Sequence, residues 1–412
     1  MDLIDGMSAP VRRAWVRSLT TGRAAMTRRS LLRGSALAAS GAVLAACGIP
    51  GTESGAEAGE SRTRDYSESE RELNFSNWPL YIDQDDDNEN VRPTLERFEQ
   101  ETGITVNYTE DINDNNEFFA RIRPQLAAGQ DTGRDLICVT DWMAGRLIRQ
   151  GWAERLDQMN IPNAVRNLDA QYRVAAHDAG RQFCYPWSAF SCVIGYNKSV
   201  TGGEPVTSVS QLLDDESLRG SVTLLTEMRE TTGMVMLDMG ADASDFTGAE
   251  FTAAIERIQG AVDSGQIRRF TGNDYINELN SGDIAACLAW SGDLIQLRYD
   301  NPDIDFYIPE AGYITLTDEL LVPKGARHQA NAEALINYYY QPAVAAELAA
   351  WINFACPVAG AQEEMRDIDP ELAQNTLIFP DEAMAERGVQ YRLLTDEEET
   401  TYEEQFARLI GA

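Results

Sequence analysis

The chain has 412 residues, 43% hydrophobic and 24% charged, with a formal net charge of −32. That length exceeds what one hydrophobic core usually organises, so two lobes are expected. So acidic a surface repels nucleic acid and anionic membrane, which argues against nucleic-acid partners, and it concentrates cationic solutes, although such surfaces more commonly serve solubility or salt adaptation.

Residues 1–46 hold seven Arg against two Asp, a local +5, which leaves −37 on the remainder. Within them Thr27-Arg28-Arg29-Ser30-Leu31-Leu32-Arg33 is a twin-arginine signature, followed by an uncharged Ala/Leu/Gly run over 34–46. The run is too short to span a bilayer, and Leu44-Ala45-Ala46-Cys47 resembles a bacterial lipobox. Residues 1–46 are therefore expected to be a twin-arginine lipoprotein signal peptide, with Cys47 the lipidated first residue of the exported protein. Residues 47–70 contain Gly51, Gly55 and Gly59 and almost no large apolar side chains, the composition of a flexible tether. The product would stand lipid-anchored on the outer face of the cytoplasmic membrane or in the periplasm.

The body opens with Leu73-Asn74-Phe75-Ser76-Asn77-Trp78-Pro79-Leu80-Tyr81, a strand running into a turn that Pro79 enforces. A helical pattern over 91–102 stops at Gly103. A second strand over 104–108, a second helix over 118–128 and a third strand over 135–139 follow. The alternation argues an α/β fold with mixed, mainly parallel sheets, whose ligands sit at the carboxyl ends of strands. Those ends carry Trp78 and Tyr81 after the first strand, and Thr140, Asp141 and Trp142 after the third. An apolar extended segment over 183–197 contains Pro186 and Trp187 and is the expected crossing into a second lobe. Beyond it the pattern predicts strands over 222–225, 284–290, 305–309 and 319–323, with helices over 230–239, 250–264, 330–340 and 343–353. The acidic tail from Asp396 is expected to be a solvated last helix.

Leu288-Ala289-Trp290-Ser291-Gly292-Asp293 joins a buried strand to a helix start and sets an indole three residues from a carboxylate. Ser291 or Asp293 would suit an N-cap there. An indole face beside a carboxylate also suits an organic ammonium, through cation–π attraction and a charge-assisted hydrogen bond. Enzymatic motifs are lacking: the two histidines, His177 and His328, stand in unrelated contexts, and no zincin, nucleophile-elbow or phosphate-loop pattern occurs. Neither a cofactor nor a metal site is expected. The acidic stretches 83–89 and 111–117 lack the glycine of an EF-hand loop and read as solvated. Besides Cys47 there are five cysteines, of which Cys138 and Cys287 fall in apolar strands as small buried hydrophobes; no disulfide is assigned.

From Leu73 onward the chain resembles the spermidine/putrescine-binding proteins of bacterial ABC importers. The landmarks are Asn77-Trp78-x-x-Tyr81, Asp135-Leu136, Leu224-Leu225-Thr226 followed by Arg229-Glu230, Trp290-Ser291-Gly292-Asp293, Asp318 before Leu320-Leu321-Val322-Pro323, and Ala334-Leu335-Ile336-Asn337. The resemblance implies a two-lobed, periplasmic-binding-protein-like fold of class II topology with a ligand cleft between lobes, one lobe spanning 71–186 and 291–345 and the other 187–290 and 346–412. It implies a monomeric extracytoplasmic receptor that captures a linear polyamine, putrescine or spermidine, and delivers it to a membrane-embedded ABC permease. On that pattern Trp78, Tyr81, Thr140 and Trp142 line one lobe, Glu227, Glu230 and Trp290 the facing one, and Asp293 and Asp318 hold ligand amines. A polyamine alternates methylenes with ammonium groups, so aromatic walls and spaced carboxylates are the chemistry it needs. Core packing is the alternative for Trp78 and Tyr81, and a solvated helix start for Glu227 and Glu230. A different solute, such as a sugar, an anion or ferric ion, is the alternative ligand; a lipid-anchored enzyme is the more distant alternative function.

Overall fold

A computed structural model describes residues 64–412 apart from Asp86, Asp87, Glu89, Asn113 and Ala412. The expected signal peptide, Cys47 and most of the expected tether lie outside the described residues.

The first half forms β1 (Glu72–Asn77), α1 (Pro93–Thr102), β2 (Thr105–Glu110), α2 (Asn115–Ala127), β3 (Leu136–Thr140), α3 (Asp141–Arg149), α4 (Pro162–Asn167) and a long β4 (Cys184–Asn197). The middle forms α5 (Val209–Asp214), β5 (Val222–Leu225), α6 (Met228–Asp238), α7 (Gly248–Asp263), β6 (Ile267–Thr271), α8 (Tyr275–Ser281), β7 (Ala286–Trp290), α9 (Ser291–Asp300) and β8 (Ile304–Tyr307). Last come β9 (Tyr313–Leu321), α10 (Gln329–Tyr339), α11 (Pro342–Ile352), α12 (Ala361–Ile368), α13 (Glu382–Arg387), β10 (Gly388–Gln390) and α14 (Asp396–Ile410). Helix ends follow local chemistry. Gly103 ends α1 in the left-handed region at φ 70°, and Asp114 caps α2 by accepting from the Glu117 amide at 2.9 Å.

The strands run in the order β2-β1-β3-β9-β4-β7-β5-β6, with β10 beside β9 and β8 beside β4. Parallel pairs (β1 with β2 and β3, β5 with β6 and β7) flank antiparallel ones around β4 and β9. β4 is buried at every position, as its uncharged sequence requires of a strand covered on both sides. It serves two sheets: residues up to Ser191 pair with β9, and Cys192 onward pairs with β7 and β8. Trp187 is the extra residue of a bulge between the pairs Pro186–Glu319 and Ser188–Asp318.

The sheet-to-sheet handover thus falls at Ser191/Cys192, not at the expected 186/187. β8 pairs with β4 on the second sheet, so residues 304–307 side with that sheet rather than with 313–345, whereas β10 joins the first sheet through β9. Two further expectations change. Residues 64–70, read as tether, are bound to the body: Asp65 Oδ2 accepts from the Ala330 amide at 3.2 Å and Ser67 Oγ from the Asn331 amide at 3.2 Å, so two polar residues distant in sequence cap α10. The tail helix α14 is solvated on one side only, because Glu399, Tyr402, Phe406 and Leu409 are buried. The five described cysteines are buried free thiols. Among the described residues no helix is long and apolar enough to cross a membrane.

Candidate ligand-binding site

The first pole of the site is built on β9, where Asp318 lies in register between Thr140 on β3 and Ser188 on β4. Asn115 Nδ2, a donor only, gives its proton to Thr140 Oγ1 at 2.9 Å. The threonine proton is therefore free for Asp318 Oδ1 at 3.0 Å. Tyr81 Oη donates to Asp318 Oδ2 at 2.7 Å and also meets Ser188 Oγ. The bulge at Trp187 does double service: it re-aims Ser188 toward Asp318, and the Trp187 indole donates to the Tyr81 carbonyl at 3.0 Å. Trp78 and Tyr81 flank a turn in which Leu80 takes φ 56°, a left-handed conformation costly for a branched residue and held by its surroundings. Burial pushes the Asp318 carboxyl up to about 7, against the pull of the Tyr81 and Thr140 hydroxyls.

The second pole stands where β7 becomes α9. Trp290 occupies the N-cap position without a side-chain cap bond, and Asp293 lies in the first turn. Its carboxylate does not cap the helix: Oδ2 accepts from Tyr275 Oη at 2.6 Å. The Trp290 amide in turn donates to Tyr275 Oη at 3.0 Å, with the two rings 6.0 Å apart. Burial raises Asp293 to about 6. A Cβ on Gly292 would lie 2.7 Å from the Phe354 ring, which also meets Tyr81 edge-on at 5.5 Å. Phe354 thus touches both poles.

Between β5 and α6, Glu227 takes the N-cap position without capping the helix and remains half-buried, while Glu230 is buried. Burial drives both carboxyls above the usual carboxylate range, and the charge of Glu230 adds to the effect at Glu227. The Trp290 indole lies close enough to favour the charged form of Glu230, yet Trp290 Nε1 and Glu230 Oε2 complete no hydrogen bond, nor does the buried Nε1 of Trp78.

Trp142 departs from the expected arrangement. One ring face is covered by Arg229, whose guanidinium carbon is 3.8 Å from the centroid, and Arg146 also stacks on the ring at 5.1 Å. Both arginines bind Glu399 and Glu403 of α14. The indole is therefore packed against guanidiniums that the chain itself supplies. Sequence reasoning also left out Asn115, Ser188, Tyr275 and Phe354. Asp141 was seen at its strand end but not assigned to the site; it is buried, raised to about 6 by that burial, and near enough to add to the raised pKa of Asp318.

The sum is a set of buried carboxylates, Asp318, Asp293 and Glu230, that are hydrogen-bonded by hydroxyls or left unpartnered and form no ion pair with Arg or Lys among the described residues. The Trp290 ring stands beside Glu230 and against Tyr275, the hydrogen-bond partner of Asp293. Such an arrangement is matched to an organic cation.

Comparison with known proteins agrees in fold and length. The putrescine-binding periplasmic protein of Escherichia coli is 29% identical over 333 residues, covering 76% of this chain and 84% of the relative. The spermidine/putrescine-binding periplasmic protein of Salmonella typhimurium is 23% identical over 337 residues, 82% of this chain and 91% of its own. A solved lipoprotein of Treponema pallidum superposes with a TM-score of 0.70 at 21% identity, covering 83% of this chain and all of that one, which establishes the shared fold. Residues 94–380 match the family described as bacterial extracellular solute-binding protein, and the chain belongs to that family.

Proposed function

We propose that the chain is an extracytoplasmic receptor that captures a linear polyamine and hands it to the permease of an ABC importer. The observation that carries this reading is the burial of Asp318 and Asp293 without any counter-ion among the described residues. A buried, unpaired carboxylate costs several kcal/mol, and a ligand ammonium removes that cost. The two poles sit on neighbours of β4 at Ser188 and Cys192, four residues or about 13 Å apart along the strand, so the ligand needs cationic groups at separated points with apolar carbon between. Trp78, Tyr81, Phe354 and Trp290 supply walls for the carbon; Thr140 orients Asp318; Glu230 and Glu227 extend the acidic lining. The names of the relatives favour putrescine and spermidine. Export by the twin-arginine route, lipidation of Cys47 and action as a monomer belong to the same proposal.

Titration calorimetry with putrescine, spermidine and spermine tests it. Heat and saturable binding with at least one of them is the expected result, and Asp293→Asn should weaken it at least about a hundredfold, near 2.7 kcal/mol. Silence with all three, together with tight binding of a sugar, an anion or ferric ion, would overturn the reading. Cys47→Ala should abolish incorporation of labelled palmitate in cells; undiminished labelling would contradict the anchor.

A further inference from the structure

Tyr275 lies on α8, fully buried, and nothing in the sequence pattern marks it as a binding residue. The directions of its two hydrogen bonds are fixed by chemistry. The Trp290 amide can only donate, so the phenolic oxygen accepts from it at 3.0 Å. The single phenolic proton is then left for Asp293 Oδ2 at 2.6 Å, which must accept. The series amide to hydroxyl to carboxylate is strongest while Asp293 is ionised, because a charged Oδ2 is a better acceptor than a neutral carboxyl oxygen. Asp293 Oδ1 makes no hydrogen bond among the described residues, so it is the oxygen left for a ligand.

We propose that Tyr275 is a positioning residue that keeps Asp293 ionised and ties it to the Trp290 backbone, so that carboxylate and indole meet the ligand's ammonium as one unit. The identity of the ligand rests on the polyamine reading; the coupling of Tyr275 to Asp293 does not. Among elements packed on α9, β7 brings the Cys287 thiol, β4 brings Cys192 and Tyr196, β8 brings Asp305 and Tyr307, and α8 brings Glu278 besides Tyr275. Asp305 lies beside Arg298 and Lys198, and Glu278 is paired with Arg269. Of these groups Tyr275 alone hydrogen-bonds to Asp293, and its bond opposes the burial that raises the Asp293 carboxyl.

The test uses the full chain. In ligand-free protein, a carbon-13 carboxyl titration should place the Asp293 midpoint about two pH units higher in Tyr275→Phe than in the wild type. Affinity for putrescine or spermidine should fall about tenfold at pH 7, the gap closing to within about threefold at pH 8.5 as the carboxyl ionises. In an Asp293→Asn background the same substitution should cost less than twofold, because the residue acts through the carboxylate it no longer has. An unmoved midpoint, parallel pH profiles or additive losses would overturn the proposal. Should Tyr275→Phe fail to fold, uniform 3-fluorotyrosine labelling, which makes the phenol a stronger donor, should lower the Asp293 midpoint; no lowering would overturn it equally. If no polyamine binds the wild type, the functional reading fails while the ligand-free titration still decides the role of Tyr275.

Discussion

Asp318 and Glu319 are adjacent on β9, and strand geometry turns them to opposite faces. Behind the sheet, Arg181 Nη1 reaches both Glu319 oxygens at 2.9 Å, His177 Nε2 lies at 3.1 Å and Thr317 Oγ1 donates at 2.6 Å. Against the burial that would raise it, Arg181 and His177 hold the Glu319 carboxyl well below the usual carboxylate range. In front, Asp318 is equally enclosed but receives only hydroxyls, and burial lifts it to about 7. One strand therefore carries a charge whose counter-ion is built into the chain beside a charge with no counter-ion among the described residues. On the proposed function the first belongs to stability and the second to binding.

Arg181→Met tests this division with the largest effect. It strands Glu319 as a buried charge and should cost about 3–5 kcal/mol of unfolding free energy in urea, while the folded protein keeps polyamine affinity within about threefold. A loss of affinity as large as the loss of stability would erase the difference between the two faces.

The two faces also respond oppositely to pH. Asp318 and Asp293 have folded values of about 7 and 6, raised above the ordinary 3.8. Between about pH 4 and 7 the native state holds protons that the unfolded chain has released, so ligand-free stability should fall by several kcal/mol as pH rises through that window. Glu319 is depressed, so its contribution is present above its ordinary value and disappears only as pH falls below it. Thermal melts at pH 5 and pH 8 should show a lower transition at pH 8 without ligand and little difference with saturating polyamine. A ligand-free transition that rises from pH 5 to pH 8 would contradict the assignment.

Smaller effects sharpen the boundary of the site. Gly292→Ala places a methyl against Phe354 and should weaken binding about tenfold, near 1.4 kcal/mol, with the fold intact by circular dichroism. Glu403→Gln removes one partially exposed partner of Arg146 and Arg229. It should change stability by less than about 1 kcal/mol and leave affinity unmoved; a tenfold change would draw the α14 cluster into the binding site.

Much of the architecture was legible because the signals were local. The helix stop at Gly103, the apolar run that became β4, and the aromatic and acidic residues at strand ends are read from neighbours in sequence. Trp78, Tyr81, Asp293 and Asp318 stood out for that reason. Tyr275 and Ser188 did not, since a tyrosine in a short helix and a serine in an apolar strand gain meaning only from register and packing. Trp142 was misplaced because nothing in its vicinity announces that Arg229, 87 positions later, will cover its ring. α14 looked solvated from the four acids of its first turn, although Tyr402, Phe406 and Leu409 recur at helical spacing and already marked a buried face.

Asp318→Asn, measured at pH 8 for both unfolding free energy and polyamine affinity, tests most directly whether this carboxylate waits for a cation from outside. Asparagine keeps nearly the same shape and an oxygen for one of the two hydroxyls while removing the unpaired charge. Ligand-free stability should equal or exceed that of the wild type, and affinity should fall at least about a hundredfold. A protein destabilised as severely as Arg181→Met that still binds within about threefold would show Asp318 to be a structural charge.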